Sequence, residues 1–147
     1  MRVFLDSNIP MYAAGSEHPF KEPSIELLQR VAKGEVDAVT DAEVFQEILH
    51  RFSAIKRLAE GFHLFDAFGK VVETVLPVEH RDVTAARVVL EGSVSVSARD
   101  AIHIAVMKRY GISVVYSYDR HFDLVEGIER REPRSVSIAG QSPDDRH

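Results

Sequence analysis

Short apolar runs alternate with helical stretches along this chain, and several of the runs end on an acidic or turn-forming residue. Residues 3–5 (Val-Phe-Leu), 36–40, 74–76 and 113–116 have the length and composition of buried strands, and residues 127–130 could add a last edge strand before Pro133. Between them, Ile25, Leu28, Val31 and Ala32 recur at helical spacing, as do Val44, Phe45, Ile48, Leu49, Phe52 and Ile55. The segment 62–72 reads as helix weakened by Gly69. Val83, Ala86, Val89 and Leu90 make another helix, and Ala101, Ile104, Ala105 and Met107 carry one from a Ser97 cap to about Tyr110. Strands that alternate with helices bury both faces of a mostly parallel sheet, so the expected fold is α/β, a three-layer α/β/α sandwich.

Composition narrows the chemistry. The 147 residues are 45% apolar, which suits one core and leaves no room for a second domain. The expected domain covers residues 1–133, followed by a polar tail at 134–147. There is no Cys, which excludes thiolate metal sites, disulfide scaffolds and cysteine nucleophiles. Eighteen Lys and Arg against 23 Asp and Glu leave a net charge of −5, so bulk attraction to nucleic acid is not expected and any basic contact must be local. Residues 1–14 do not resemble a signal peptide, and no run approaches a membrane span, so the cytosol is the default compartment.

In parallel sheets, ligand sites form beyond the carboxyl ends of the strands. Asp6 directly follows the first strand, and Asp119 follows the 113–116 strand after Ser117-Tyr118. Asp100 stands in the first turn of its helix on the same face as Ile104 and Met107, and Glu47 flanks the apolar stripe of the 44–55 helix. Converging carboxylates repel by ~4 kcal/mol at 4 Å and an effective dielectric of 20. Cations must neutralise them or protons must cap them, and Mg2+ or Mn2+ suits oxygen ligands and phosphodiester chemistry.

Each acid taken singly has a plainer explanation. Ser97-x-x-Asp100 is a capping pattern, Asp6 and Asp119 suit helix starts and turns, and Glu47 could pair with Arg51 one turn on. Glu43 is assigned to a capping box with Thr40 and left out of the site. His103 reads as a satisfied, partly buried histidine. The pairs Lys56-Arg57, Lys108-Arg109, Arg120-His121 and Arg130-Arg131 read as solvated faces, with Arg120 the best placed to meet phosphate. Phe45, Phe52, Phe62, Phe65 and Phe68 read as core or interface.

Four segments, in order, shift that balance: Val3-Phe4-Leu5-Asp6-Ser7-Asn8, Val44-Phe45-Gln46-Glu47-Ile48, Arg99-Asp100-Ala101-Ile102-His103-Ile104-Ala105 and Ser117-Tyr118-Asp119-Arg120-His121-Phe122-Asp123. Together they resemble the PIN-domain family, in particular the VapC-type toxins of toxin–antitoxin pairs. The resemblance implies a Mg2+- or Mn2+-dependent endoribonuclease with Asp6, Glu47, Asp100 and Asp119 as catalytic and metal-binding acids and Asp123 as a fifth ligand. It implies Ser117 and Asn8 as polar companions of the acids, RNA as substrate, an antitoxin protein as partner and a homodimer. The competing reading is a catalytically silent binding module of the same fold, its acidic pocket filled by an inhibitor's basic side chain. A haloacid-dehalogenase-like phosphatase needs a second Asp where Asn8 stands, a receiver domain needs its acids in another order, and no phosphate-binding Gly-rich loop exists.

Overall fold

The computed structural model describes residues 1–92 and 95–134. Among them run β1 (Val3–Leu5), α1 (Asn8–Ala14), α2 (Lys21–Ala32), β2 (Ala38–Asp41), α3 (Ala42–Ala54), α4 (Leu58–Val71), β3 (Thr74–Leu76), α5 (His80–Gly92), α6 (Ala98–Arg109), β4 (Val114–Tyr116), a 3-10 turn (Arg120–Leu124) and β5 (Glu129–Arg131). The expected tail from residue 135 lies outside the described residues. All strand pairings are parallel, in the order β3-β2-β1-β4-β5, with Phe4 opposite both Val39 and Val115. The α/β expectation holds, and the short edge strand expected at 127–130 is found at Glu129–Arg131.

The strand order places the site. From β1 the chain moves outward to β2 and β3, then returns to the other side of β1 to form β4 and continues to β5. Right-handed crossovers in opposite directions put their helices on opposite faces. In keeping with that rule, α1 packs on α2 and α3 on α4, while α5 packs on α6. The reversal falls between β1 and β4, and a crevice opens beyond their carboxyl ends. Asp6 and Asp119 follow those two strands.

Phe4, Leu5, Val39 and Val115 are fully buried, as are Ile9, Leu27, Ile48, Ile104 and Met107 from the helices. Pro10 fits the first turn of α1, where its missing N–H has no partner to lose. Gly61 of α4 lies against Phe52 of α3, where a Cβ would fall 2.6 Å from the Phe52 Cβ; only Gly allows the two helices to approach this closely. Among the five phenylalanines assigned to core or interface, Phe45 and Phe68 are buried, Phe52 and Phe65 pack partly buried against them, and Phe62 is exposed.

Three local assignments change. The cap of α3 is Asp41, whose Oδ1 accepts from the Val44 N–H, whereas the Thr40 hydroxyl donates to the Leu5 carbonyl across the sheet. Thr40 still lies within β2, one residue before the helix cap, so its hydroxyl does not reach the helix amides and Glu43 has no box to complete. Arg109 is not a solvated residue: its guanidinium grips both oxygens of the buried Asp82, at 2.7 and 2.8 Å, and the Pro77 carbonyl. Arg130 likewise pairs with Asp123 and Glu132 and donates to the Ser117 carbonyl.

Candidate active site

The site is built from the strand ends inward. Asp6 is 3% exposed, and its carboxylate is held by three donors: Oδ1 accepts from the Ser7 N–H at 2.8 Å, and Oδ2 accepts from the Ser117 hydroxyl at 2.6 Å and from Asn8 Nδ2 at 3.3 Å. Ser117, at the end of β4, also accepts from the Asp119 N–H and from Asn8 Nδ2. Asn8 Oδ1 accepts from the Tyr118 N–H. The loops after β1 and β4 are thereby tied together, with Ser117 and Asn8 both bonded to the Asp6 carboxylate. Asp119 starts the 3-10 turn, with Oδ1 accepting from the His121 N–H.

Two helices bring further acids. Asp100, in the first turn of α6, hydrogen-bonds Asp119 and feels the charge of Asp6. Its own backbone N–H is capped by Ser97, so the capping reading is correct for the main chain while the carboxyl serves the site. Glu47, on α3, does not pair with Arg51. Its Oε2 accepts from the Ser7 hydroxyl at 2.6 Å and its Oε1 faces His103 Nε2 at 2.6 Å. Asp123 lies apart on the 3-10 turn, both oxygens taken up by Arg130.

His103 is where reasoning from sequence fell short. It is fully buried, with Nδ1 2.8 Å from Asp41 Oδ2, Nε2 on Glu47, and Asp6 Oδ1 3.8 Å away. The expectation of a satisfied histidine is right, but its partners are the acids of the crevice. The signal lay in the sequence, since His103 stands one turn from Asp100. Nothing there showed that Asp41, a capping residue, would supply its second partner.

The charges are out of balance. Burial pushes the Asp6 carboxyl up, and the charge of His103 and the Ser117 bond only partly counter it. Burial likewise pushes Asp100 up to about 8, aided by the charge of Asp6 and the bond to Asp119. Burial would also raise Glu47, but His103 and Ser7 outweigh it and hold the carboxyl below the usual range. Burial would strip the proton from His103, yet the Asp41 and Glu47 carboxylates keep it well above an ordinary histidine. His103 thus faces more buried carboxylates than it can neutralise, and the raised Asp100 carboxyl favours its protonated form at neutral pH.

This donor set fits a hard divalent cation. Ligand atoms of Asp6, Asp100 and His103 lie within 4.8 Å of one another. His103 is nevertheless a poor ligand, because both ring nitrogens are already bonded to carboxylates. Asp6 and Asp100 could offer carboxylate oxygens to an ion here, and Asp119, beside Asp100, could add another.

An acid-lined crevice at the switch point of a five-stranded parallel sheet defines a class, and the class has a name: the PIN-domain model matches residues 3–128, and the chain belongs to that family. Within it, the chain is 48% identical over 128 residues to a VapC ribonuclease of Mycobacterium bovis and to ribonuclease VapC13 of Mycobacterium tuberculosis, covering 87% of this chain and 98% of each relative. It is 31% identical to ribonuclease VapC23 of M. tuberculosis over 80% of this chain and 92% of that one. Among solved structures, VapBC2 from Rickettsia felis bound to a promoter DNA fragment matches with a TM-score of 0.71 at 16% identity, covering 91% of this chain and 100% of that one. The M. tuberculosis sarcin–ricin-loop-cleaving toxin VapC20 matches with a TM-score of 0.68 at 17% identity, covering 83% and 93%. No helix among the described residues is long and apolar enough to cross a membrane.

Proposed function

We propose that this chain is a Mg2+- or Mn2+-dependent endoribonuclease acting as the toxin of a toxin–antitoxin pair in the cytoplasm. The observation that carries this reading is the convergence of the buried Asp6 and the half-buried Asp100, with Asp119 beside Asp100, in a crevice where the Asp100 carboxyl is pushed up to about 8. Such a site is one cation short. The mycobacterial relatives named as VapC ribonucleases, nearly all of whose length aligns, support the substrate class.

In this reading Asp6, Asp100 and Asp119 hold the ion, and Glu47 closes the inner wall. Asp123 remains a candidate fifth ligand, one that would first have to leave Arg130. A bound divalent ion supplies an activated water and charge neutralisation at phosphorus. The chain's own residues set the geometry around it. Ser117 and Asn8 fix the rotamer of Asp6, and Ser7 aims Glu47. Arg120, exposed and adjacent to Asp119, offers a guanidinium for the RNA backbone against the acidic background. An antitoxin arginine entering the same pocket would compete with the ion, and a homodimer is the expected assembly. Antitoxin affinity that ignores Mg2+ would contradict that competition.

The test is cleavage of a pooled RNA by wild type and Asp6→Asn, with and without chelator. The reading expects cleavage by the wild type that chelator stops and that the variant lacks. Equal activity of the two proteins would refute the site.

A further inference from the structure

The Asp41–His103–Glu47 chain does something the nuclease reading does not use. Its three side chains are 0%, 0% and 8% exposed and come from the end of β2, the middle of α6 and the second turn of α3. A carboxylate accepts and does not donate, so two carboxylates on the two nitrogens of one imidazole require an N–H on each, or a proton on one of the acids. With an N–H on each nitrogen both hydrogen bonds run outward from the ring, whereas a proton on one acid makes that acid the donor to its nitrogen. The other oxygen of Asp41 caps α3 through the Val44 N–H, so one carboxylate both starts the helix that carries Glu47 and aims the histidine that holds it. The ring sits among apolar neighbours, 5.3 Å from the Phe4 ring and next to Ile104 in sequence. A buried ion network of this kind contributes little to stability compared with apolar packing of equal volume, so stability alone does not account for it.

We propose that His103 is a positioning residue: aimed by Asp41, it donates Nε2–H to Glu47 and fixes that carboxylate as the inner wall of the metal site. The chain is a device for placing Glu47, and His103 is not itself a ligand. This rests on the metal-site reading above, and it assigns Asp41 and His103 roles that the acid motif does not contain. Partners behind a metal site commonly change metal affinity by ~10–100-fold when removed.

The experiment titrates Mn2+ into the full chain without RNA, for wild type, Asp6→Asn, His103→Leu and Asp41→Asn, alongside 15N NMR of the histidine ring. His103→Leu should weaken Mn2+ by ~10–100-fold, because Glu47 keeps only the Ser7 hydroxyl on one oxygen and loses the partner that fixes the other. Loss of a mere counter-charge has the opposite sign, since it makes the pocket more negative and tightens the ion. Unchanged or tighter Mn2+ binding by His103→Leu therefore overturns the proposal.

Asp41→Asn guards against failure of the leucine variant to fold. Its Oδ1 can still cap Val44 while its Nδ2 donates to the ring, which leaves a neutral imidazole with its one proton on Nε2, facing Glu47. The wild type should therefore show an Nε2–H bonded to Glu47, and Asp41→Asn should keep it with Mn2+ affinity within about threefold. Absence of that proton in the wild type, or a loss in Asp41→Asn as large as the ~10–100-fold expected for the leucine, also overturns the proposal. Asp6→Asn separates the two levels. If it leaves Mn2+ binding intact, the metal site itself is wrong, whereas its loss beside an unaffected His103→Leu sinks only the positioning role.

Discussion

Two clusters of buried charge sit in this small domain, and they are built on opposite principles. Between α5 and α6, the buried Asp82 meets Arg109 in a two-pronged pair, accepts from the Glu79 N–H and so holds its carboxyl below the usual range. That cluster brings its own cation. At the carboxyl ends of β1 and β4, Asp6, Asp100 and Glu47 look to one buried histidine, His103, while Asp119 pairs with the exposed His121, and two of the four carboxyls are pushed up. The first cluster fastens two helices and balances itself, whereas the second is left unbalanced, as the proposed ion site requires.

The largest effect that should break this comparison is on activity. Asp6→Asn should abolish RNA cleavage, a drop of ~10³-fold or more on the scale typical of a lost group at a catalytic centre. The metal-free variant should melt no lower than wild type, because it removes one of the repelling charges. A clear fall in its melting temperature would mean that Asp6 is structural, as Asp82 is. Asp82→Asn should do the reverse. It leaves the Arg109 guanidinium half-satisfied and should lower the melting temperature by ~5 °C or more, with RNA cleavage retained at temperatures where the variant is folded.

Acid and base should separate the clusters next. Asp100 binds its proton more tightly folded, at about 8, than at its ordinary 3.8, so between those values each rise in pH costs the metal-free fold stability. Asp82 is depressed, so its contribution is present above its ordinary 3.8 and is lost as pH falls through the folded value. Asp100→Asn should therefore raise the metal-free melting temperature more at pH 8 than at pH 5, and thermal melts at the two values check it. The smallest effect is on ligand linkage. Mn2+ at a hundred times its Kd should stabilise the fold by ~2.7 kcal/mol, a gain that Asp6→Asn should erase and Asp82→Asn should keep.

Much of this was legible before any coordinates. Strands and helices could be placed because the apolar period switches from short runs to helical spacing, and the acids stood out because they sit where a parallel sheet opens to solvent. The side-chain network behind them was not legible. Asp41 looked like the second residue of a Thr40 capping box, and only the pairing of β2 with β1 shows Thr40 facing the Leu5 carbonyl and Asp41 taking over the cap. Arg109 and Arg130 looked like solvated charge because their partners, Asp82 and Asp123, are 27 and 7 residues away and reach them only through tertiary packing. Local pattern reports what a backbone segment will do, and long side chains answer to neighbours that pattern does not contain.

The central claim is that folding forces these acids into one pocket whose missing charge a divalent ion supplies. Calorimetric titration of Mn2+ at pH 7 in two buffers of different ionisation heat reads the protons released per ion bound. With Asp100 held at about 8, binding should expel about one proton per ion in the wild type and bring no such release in Asp100→Asn. Binding without proton release, or identical release from the variant, would contradict the account.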